Sequence, residues 1–226
     1  MPTPRSFLSS SVGSKILIAV TGLALVGFLV VHLAGNLLLL AGPEAFNEYS
    51  HALISNPLIY IAEAGLAAIF VLHVFKAVTN WAGNRSARPS KYAEKHWAHH
   101  TSRKSWASTT MIVTGVVTFV FVLLHLKTFK FGPWYETPTP EGPMRDLYRL
   151  TVEVFQSPVY VAFYVICMGL LAFHLQHGLS SALQSLGVNH PRYTRFILMA
   201  GTVLAIAIGA GFALIPVYVL VAGGRS

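Results

Sequence analysis

The chain has 226 residues, of which 54% are hydrophobic and only 11% are charged. This balance excludes an ordinary soluble domain, in which about a quarter of the residues are charged. The net charge is +8, but the basic residues are concentrated in a few connecting segments, which is not typical of a nucleic-acid-binding surface.

Five apolar segments are long enough to cross a membrane as helices. Each supplies about 20 helical residues, which span a hydrocarbon core of about 30 Å, and none shows the alternation that a spanning strand needs. The first is too long for the core of a cleaved signal peptide. The predicted spans are about 15–41, 57–80, 106–128, 158–183 and 196–221. The sequence therefore predicts an all-α integral membrane protein, one membrane domain (1–226) built as a five-helix bundle, with no second, soluble domain.

The connections also show helical signals. Asn56-Pro57 and Ser157-Pro158 are typical of helix starts, as is Pro191 before the fifth span, in which Pro216 is a candidate kink. The stretch GPEAFNEYSHALI after the first span is too short to cross and is expected at the outer interface. Apolar residues recur at helical intervals in MRDLYRLTVEVFQ, before the fourth span, which predicts an interfacial amphipathic helix.

The distribution of basic residues predicts the orientation. Seven lie between the second and third spans: Lys76, Arg85, Arg88, Lys91, Lys95, Arg103 and Lys104. The connection 42–56, on the opposite side, has none. The positive-inside rule then places the N-terminus in the cytoplasm and the C-terminus outside.

Four histidines lie in four different predicted spans, each toward the C-terminal end of its span: His32, His73, His125 and His174. Successive spans run in opposite directions, so His32 and His125 are expected at an outer level and His73 and His174 at an inner level, about 15–20 Å away. His177 is a fifth candidate. A histidine in hydrocarbon is costly unless it is hydrogen-bonded or coordinated, and an isolated one often bonds a neighbouring helix.

Two imidazoles at one depth on different helices suit the two axial positions of a haem iron. Two such pairs predict two stacked haems whose role is electron transfer, because no coordination position remains open. Zinc or copper would need three or four ligands at one level, and a proton relay would not require pairs of equal depth.

A repeated frame precedes the two outer histidines. TGLALVGFLVVHLAGN and TGVVTFVFVLLHLKTF both read Thr-Gly, nine residues, then His-Leu. We expect Gly22 and Gly115 to leave room for a helix or for the macrocycle, and Gly35, Gly169 and Gly178 to act in the same way beside other ligands.

These motifs, together with FNEYSHAL, LHVFKAVTNWAGNRSARPSKY and FHLQHGLSSALQSLG, resemble the five-helix, di-haem cytochrome b membrane anchors of succinate:quinone oxidoreductases (succinate dehydrogenase and fumarate reductase). The resemblance runs from about Ser11 to Val221. It implies an outer haem held by His32 and His125, and a cytoplasmic-side haem held by His73 and a histidine of FHLQHG. His174 matches the family's ligand position, four residues before the glycine, while geometry alone leaves His177 open.

The resemblance also implies the cellular role. The chain would anchor a flavoprotein and an iron–sulfur protein at the cytoplasmic face of a prokaryotic inner membrane and exchange electrons with a quinone, menaquinone in the di-haem form. Dicarboxylate chemistry would belong to the flavoprotein, so no catalytic residue is expected here. The alternatives are a stand-alone transmembrane di-haem carrier and a haem-free, histidine-containing transporter or anchor.

Further candidates lie near the two membrane faces. Propionates need cationic or hydrogen-bonding partners, for which the inner candidates are Ser14, Lys15, Arg103, Lys104 and Trp106, and the outer ones are Lys127, Lys130 and His51. Glu63 is a candidate for proton handling beside an outer quinone site. The alternative is an interfacial glutamate that snorkels or bonds Tyr60.

Overall fold

The computed structural model describes residues 10–86, 106–140, 142–188, 190 and 192–222, with the side chains of 106–109 left out. Five helices in this part of the chain are long and apolar enough to cross a membrane, which confirms the predicted all-α membrane fold. The elements are α1 (Ser11–Leu37, followed by a 3₁₀ turn Leu38–Ala41), α2 (Pro43–Ile54), α3 (Leu58–Ser86), α4 (Trp106–His125, followed by a π turn Leu126–Lys130), β1 (Glu136–Thr137), β2 (Met144–Arg145), α5 (Leu147–Phe155), α6 (Pro158–Ser185) and α7 (Thr194–Ala222).

Local chemistry explains several helix boundaries. The Asn56 side chain accepts a hydrogen bond from the Leu58 backbone at 3.0 Å, so α3 begins just after the proline. Ser157 is the N-cap of α6 and Pro158 its first residue, although the serine side chain makes no capping bond. Pro216 lies inside α7, which continues to its end at Ala222.

The centre of the bundle is α6, which packs against α7, α4 and α1. The α1 helix packs in turn against α3, which has no buried residue. Among the described residues, α1 and α4 share no extensive packing, and neither do α3 and α6. The α3 helix is therefore joined to the bundle mainly through α1, and α4 mainly through α6.

Large apolar side chains cover the outside of the spanning helices. Val31 and Val71 are each 64% exposed, and Val203 is 62% exposed. Such a surface is unfavourable in water and suits contact with lipid.

A cap built from α2, the β1–β2 hairpin and α5 covers the end of the bundle at which α1 and α4 terminate, here called the outer end. Asn47 joins its parts, because its Nδ2 donates to Asp146 Oδ1 at 2.8 Å and its Oδ1 accepts from the Tyr148 backbone at 2.9 Å. Asp146 also caps α5 by accepting from the Arg149 backbone. Asn47 is only 2% exposed, so its amide groups need these partners.

A second network holds the exposed side of the cap. The Tyr135 hydroxyl donates to Glu153 at 2.7 Å, and Arg149 Nε donates to the same carboxylate at 3.0 Å. The tyrosine hydrogen bond first, and then the guanidinium, hold the pKa of Glu153 below its ordinary value.

Arg145 closes the outer end of α4. It is only 8% exposed, its Nη2 donates to the Phe129 carbonyl at 2.8 Å, and its guanidinium lies 4.7 Å from the centroid of the Trp134 ring. Its buried Nε has no hydrogen-bond partner among the described residues. Burial lowers the pKa of this guanidinium, although arginine remains charged at neutral pH.

Candidate functional site: two histidine pairs

The structure brings His32 of α1 and His125 of α4 together near the outer end of the bundle. Their ring centroids are 5.9 Å apart and the ring planes are nearly perpendicular, at 87°. The two helices do not pack extensively along their length, so the rings meet across the bundle at one level.

The spacing of this outer pair can be compared with that of two ligands on one metal. A metal–imidazole bond is about 2 Å long and the ring centroid lies roughly 1 Å beyond the bonding nitrogen, so imidazoles on opposite sides of one iron have centroids about 6 Å apart. The observed 5.9 Å matches this value. A pair at this spacing can accommodate two imidazoles on one metal ion, and the spacing is also that of an edge-to-face ring contact.

Aromatic rings surround the outer pair. Phe28 stacks on His32 at 5.1 Å, and the rings of Phe121, Phe129 and Phe212 lie 5.3–5.7 Å from one or the other histidine. Tyr164 supplies a polar contact, with its hydroxyl 3.4 Å from His125 Nδ1. Asn36 places its amide nitrogen 3.4 Å from both ring nitrogens of His32. The surroundings of the outer pair are therefore mainly aromatic, with two polar contacts.

His73 of α3 rests against α1. Its Nδ1 lies 3.1 Å from Thr21 Oγ1. The threonine hydroxyl in turn donates to the Leu17 carbonyl at 2.6 Å.

His174 of α6 rests in the same way against α4. Its Nδ1 lies 3.2 Å from Thr114 Oγ1. This ring also lies within electrostatic range of His73 and of the half-buried His177. Each inner histidine is therefore held by a contact with a neighbouring helix.

The repeated glycines make room for these inner rings. A Cβ on Gly22 would lie 3.1 Å from His73 Cε1, and one on Gly115 would lie 3.3 Å from His174 Cε1. We expected room for a helix or a macrocycle, whereas the atoms that come close belong to the inner histidines. Gly35 instead accommodates the Tyr49 ring. A Cβ on Gly169 would have no neighbour within 4 Å, and one on Gly178 would lie 3.7 Å from the end of a methionine side chain.

Each Thr-Gly pair shares a helix face with an outer histidine. Eleven residues separate Thr21 from His32 and Thr114 from His125, which is close to three full turns and about 16 Å of helix. One face of α1 and one face of α4 therefore serve both levels.

The inner propionate candidates differ in burial and in whether the structure describes them. Ser14 lies two turns before Thr21 on the same face of α1, and it is half-buried, whereas Lys15 is exposed. Arg103 and Lys104 lie outside the described residues. Trp106 is the first residue of α4, and its side chain is among those left out.

The outer candidates lie at the surface of the cap end. Lys127 and His51 are exposed. Lys130 forms an ion pair with Glu63 that joins α4 to α3, with about 40% of each side chain exposed. Glu63 thus pairs with Lys130, a partner that neither the proton-handling interpretation nor the interfacial one with Tyr60 named.

Among the described residues, no three His, Cys, Asp or Glu side chains come together as a zinc or copper site of three or four ligands requires.

Sequence reasoning missed the threonine contacts and the buried Arg145. A signal for the threonines was present, because both Thr-Gly pairs precede a histidine by the same eleven residues. Nothing comparable marks Arg145, since its burial depends on how the hairpin folds over α4.

Comparison with curated proteins finds a relative 24% identical over 182 residues, covering 80% of this chain and 83% of the relative. It is the succinate dehydrogenase cytochrome b558 subunit of Bacillus subtilis (strain 168). No family model matches the chain, and no solved structure matches it.

Proposed function

We propose that this protein is the membrane-anchor and electron-transfer subunit of a succinate:quinone oxidoreductase, and that it binds two b-type haems, each between two histidines. The observation that carries the proposal is the outer pair, where the rings of two histidines on separate helices lie 5.9 Å apart, a spacing that two imidazoles on one metal ion would have. The similarity to a subunit named as a succinate dehydrogenase cytochrome supports the enzyme class.

The chain's own residues have distinct roles in this proposal. His32 and His125 hold the outer haem, and His73 and His174 hold the inner one. Phe28 and its neighbouring aromatic rings keep water away from the outer pair. When bound, haem supplies reversible one-electron chemistry, and two imidazole ligands leave no coordination position for dioxygen.

Charged and polar groups would receive the propionates. Ser14, on the same face of α1 as the inner site, is a hydrogen-bonding partner at the inner level. At the outer level we assign Arg145 rather than the exposed Lys127 or His51, because Arg145 is a buried cation with an unsatisfied N–H next to the end of α4. A carboxylate would satisfy both its charge and its free donor.

The proposed orientation follows the basic connection 76–104, which lies in the cytoplasm and faces the iron–sulfur and flavoprotein subunits. Electrons then pass along the two histidine levels between the iron–sulfur subunit and a membrane quinone, which we propose to be menaquinone. Glu63, paired with Lys130 near the outer end, is the proposed proton-handling group of a quinone site there.

The test is purification of the full chain, with whatever subunits accompany it, in mild detergent. We expect two b-type haems per chain and co-purifying flavin and iron–sulfur subunits. His125→Ala should remove one haem and His73→Ala the other, because each pair serves one iron.

A wild-type protein without haem would contradict the proposal, and so would a His125→Ala protein that retains both haems. Two haems on a chain that purifies without flavin and iron–sulfur subunits would favour a stand-alone electron carrier instead.

A further inference from the structure

The two inner histidines are held by the same arrangement of groups, built twice. In each case a Thr-Gly pair on an adjacent helix contacts the imidazole, with the threonine Oγ1 3.1 Å from His73 Nδ1 and 3.2 Å from His174 Nδ1. The same arrangement at two places in the bundle indicates a common role.

The hydrogen atoms in this arrangement can be assigned. A threonine hydroxyl has one hydrogen, and Thr21 donates it to the Leu17 carbonyl at 2.6 Å. Toward His73, therefore, Thr21 Oγ1 is an acceptor, and Nδ1 of the imidazole carries the proton.

The same reasoning applies at the second position. Thr114 Oγ1 lies 3.2 and 3.1 Å from the carbonyls of Thr110 and Met111 and 3.2 Å from His174 Nδ1, so its one hydrogen can go to a carbonyl while a lone pair accepts from Nδ1. A neutral imidazole with its proton on Nδ1 has its free lone pair on Nε2, the nitrogen that can bind a metal.

The glycine that follows each threonine lets the imidazole approach. Any Cβ at position 22 or 115 would lie closer to the histidine than ordinary contact distance. The threonine and the glycine thus act together, one orienting the ring and the other admitting it.

Resting on the proposed function, we infer that Thr21-Gly22 and Thr114-Gly115 are positioning residues for the inner haem, and that they fix the tautomer of its two ligands. The α1 helix, which supplies His32 at the outer level, thereby positions His73 at the inner level, and α4, which supplies His125, positions His174. On each helix the threonine lies about 16 Å from the outer histidine, on the same face. The hydrogen bond also makes the bound imidazole more electron-donating, which stabilises the oxidised iron.

The test uses the full chain and four variants. Thr114→Val keeps the shape of the side chain but removes the acceptor, Thr114→Ser restores an acceptor, and Thr21→Val repeats the test on the other inner ligand. Thr118→Val is the matched control, because Thr118 donates only to the backbone of Thr114 and lies one turn along the same helix. Haem content and redox titrations are measured, with the inner haem identified by its loss in His73→Ala.

In Thr114→Val we expect the midpoint potential of the inner haem to rise, by an amount equal to about a tenfold change in its reduction equilibrium, or about 59 mV for one electron. Thr21→Val should act in the same direction. Thr114→Ser should return the potential toward wild type, while Thr118→Val and the outer haem should be unchanged.

The inference is overturned if the inner potential does not move in either valine variant, or if serine fails to restore it. An equal shift in the midpoint potentials of both haems would also overturn it, and so would a shift in Thr118→Val as large as in Thr114→Val. Either result would indicate a general loosening of the fold. A wild-type chain without haem would instead contradict the proposed function itself, so failure of this inference and failure of the proposed function are distinguishable.

Discussion

Replacement of Gly22 by alanine tests how closely α1 approaches His73. The new Cβ would lie 3.1 Å from Cε1 of the histidine, whereas ordinary contacts begin at 3.4 Å. The ring must therefore retreat by roughly 0.3–0.5 Å, which stretches its 3.1 Å contact with Thr21 toward the limit of a useful hydrogen bond. Losing that bond costs about 0.5–1.5 kcal/mol, so we expect inner haem to be bound about two- to tenfold more weakly.

Two other glycines provide graded controls. A Cβ on Gly27, in the same helix, would have no neighbour within 4 Å, and one on Gly115 would lie 3.3 Å from His174. All three substitutions gain about 1 kcal/mol of helix propensity, which cancels when they are compared. The expected order of inner-haem loss is Gly22→Ala first, then Gly115→Ala, with Gly27→Ala close to wild type.

The assay is the rate at which each detergent-solubilised variant transfers haem to an excess of a haem-scavenging apoprotein. The outer haem of the same chain is the internal reference. Equal rates for Gly22→Ala and Gly27→Ala would refute the reasoning, as would accelerated loss of the outer haem alone.

Three further predictions concern packing and the outer cap. Gly209→Ala should lower stability by about 1–3 kcal/mol, because its Cβ would lie 2.8 Å from a methyl carbon of α6, and the gain in helix propensity offsets at most about 1 kcal/mol of this loss. Gly65→Ala, whose Cβ would have no neighbour within 4 Å, should not lower stability. Thermal unfolding in detergent measures both variants. Arg145→Gln should weaken retention of the outer haem and make the cap more sensitive to protease. Arg149→Gln, on the exposed side of the cap, should leave haem retention unchanged. Equal haem loss in both variants would contradict the role of the buried cation. The pKa of Glu153 is lowered in the folded cap, so the stabilisation that this carboxylate provides is present above its unfolded pKa and is lost as pH falls through the folded pKa. Proteolysis of the cap should therefore increase in acid. The increase should be smaller in Glu153→Gln.

Much of the fold could be predicted because hydrophobic length is a local property. The five spans follow from runs of about 20 apolar residues, and the structure confirms them. Their ends were harder to place. The α3 helix continues to Ser86, six residues beyond the predicted span, because a helix need not end where its apolar segment ends. The α4 helix passes into a π turn that reaches Lys130, for which the sequence carries no recognisable signal.

The sequence also predicts the level of each histidine, since alternating direction converts position within a span into depth, and the structure brings His32 and His125 together. The contacts between spans were not. Thr21 and His73 are 52 residues apart, and Thr114 and His174 are 60 apart, so no periodicity within one helix reports them. The pairing of Glu63 with Lys130 likewise depends on how α3 lies beside α4.

The interval between Thr21 and His32, repeated between Thr114 and His125, has a consequence for how this chain can vary. The height between the two levels is set by covalent rise along α1 and α4, independently of the loops. Connecting segments can therefore lengthen or shorten without changing that height. A single residue inserted within either eleven-residue interval would instead turn everything beyond it by about 100° and disrupt both levels at once.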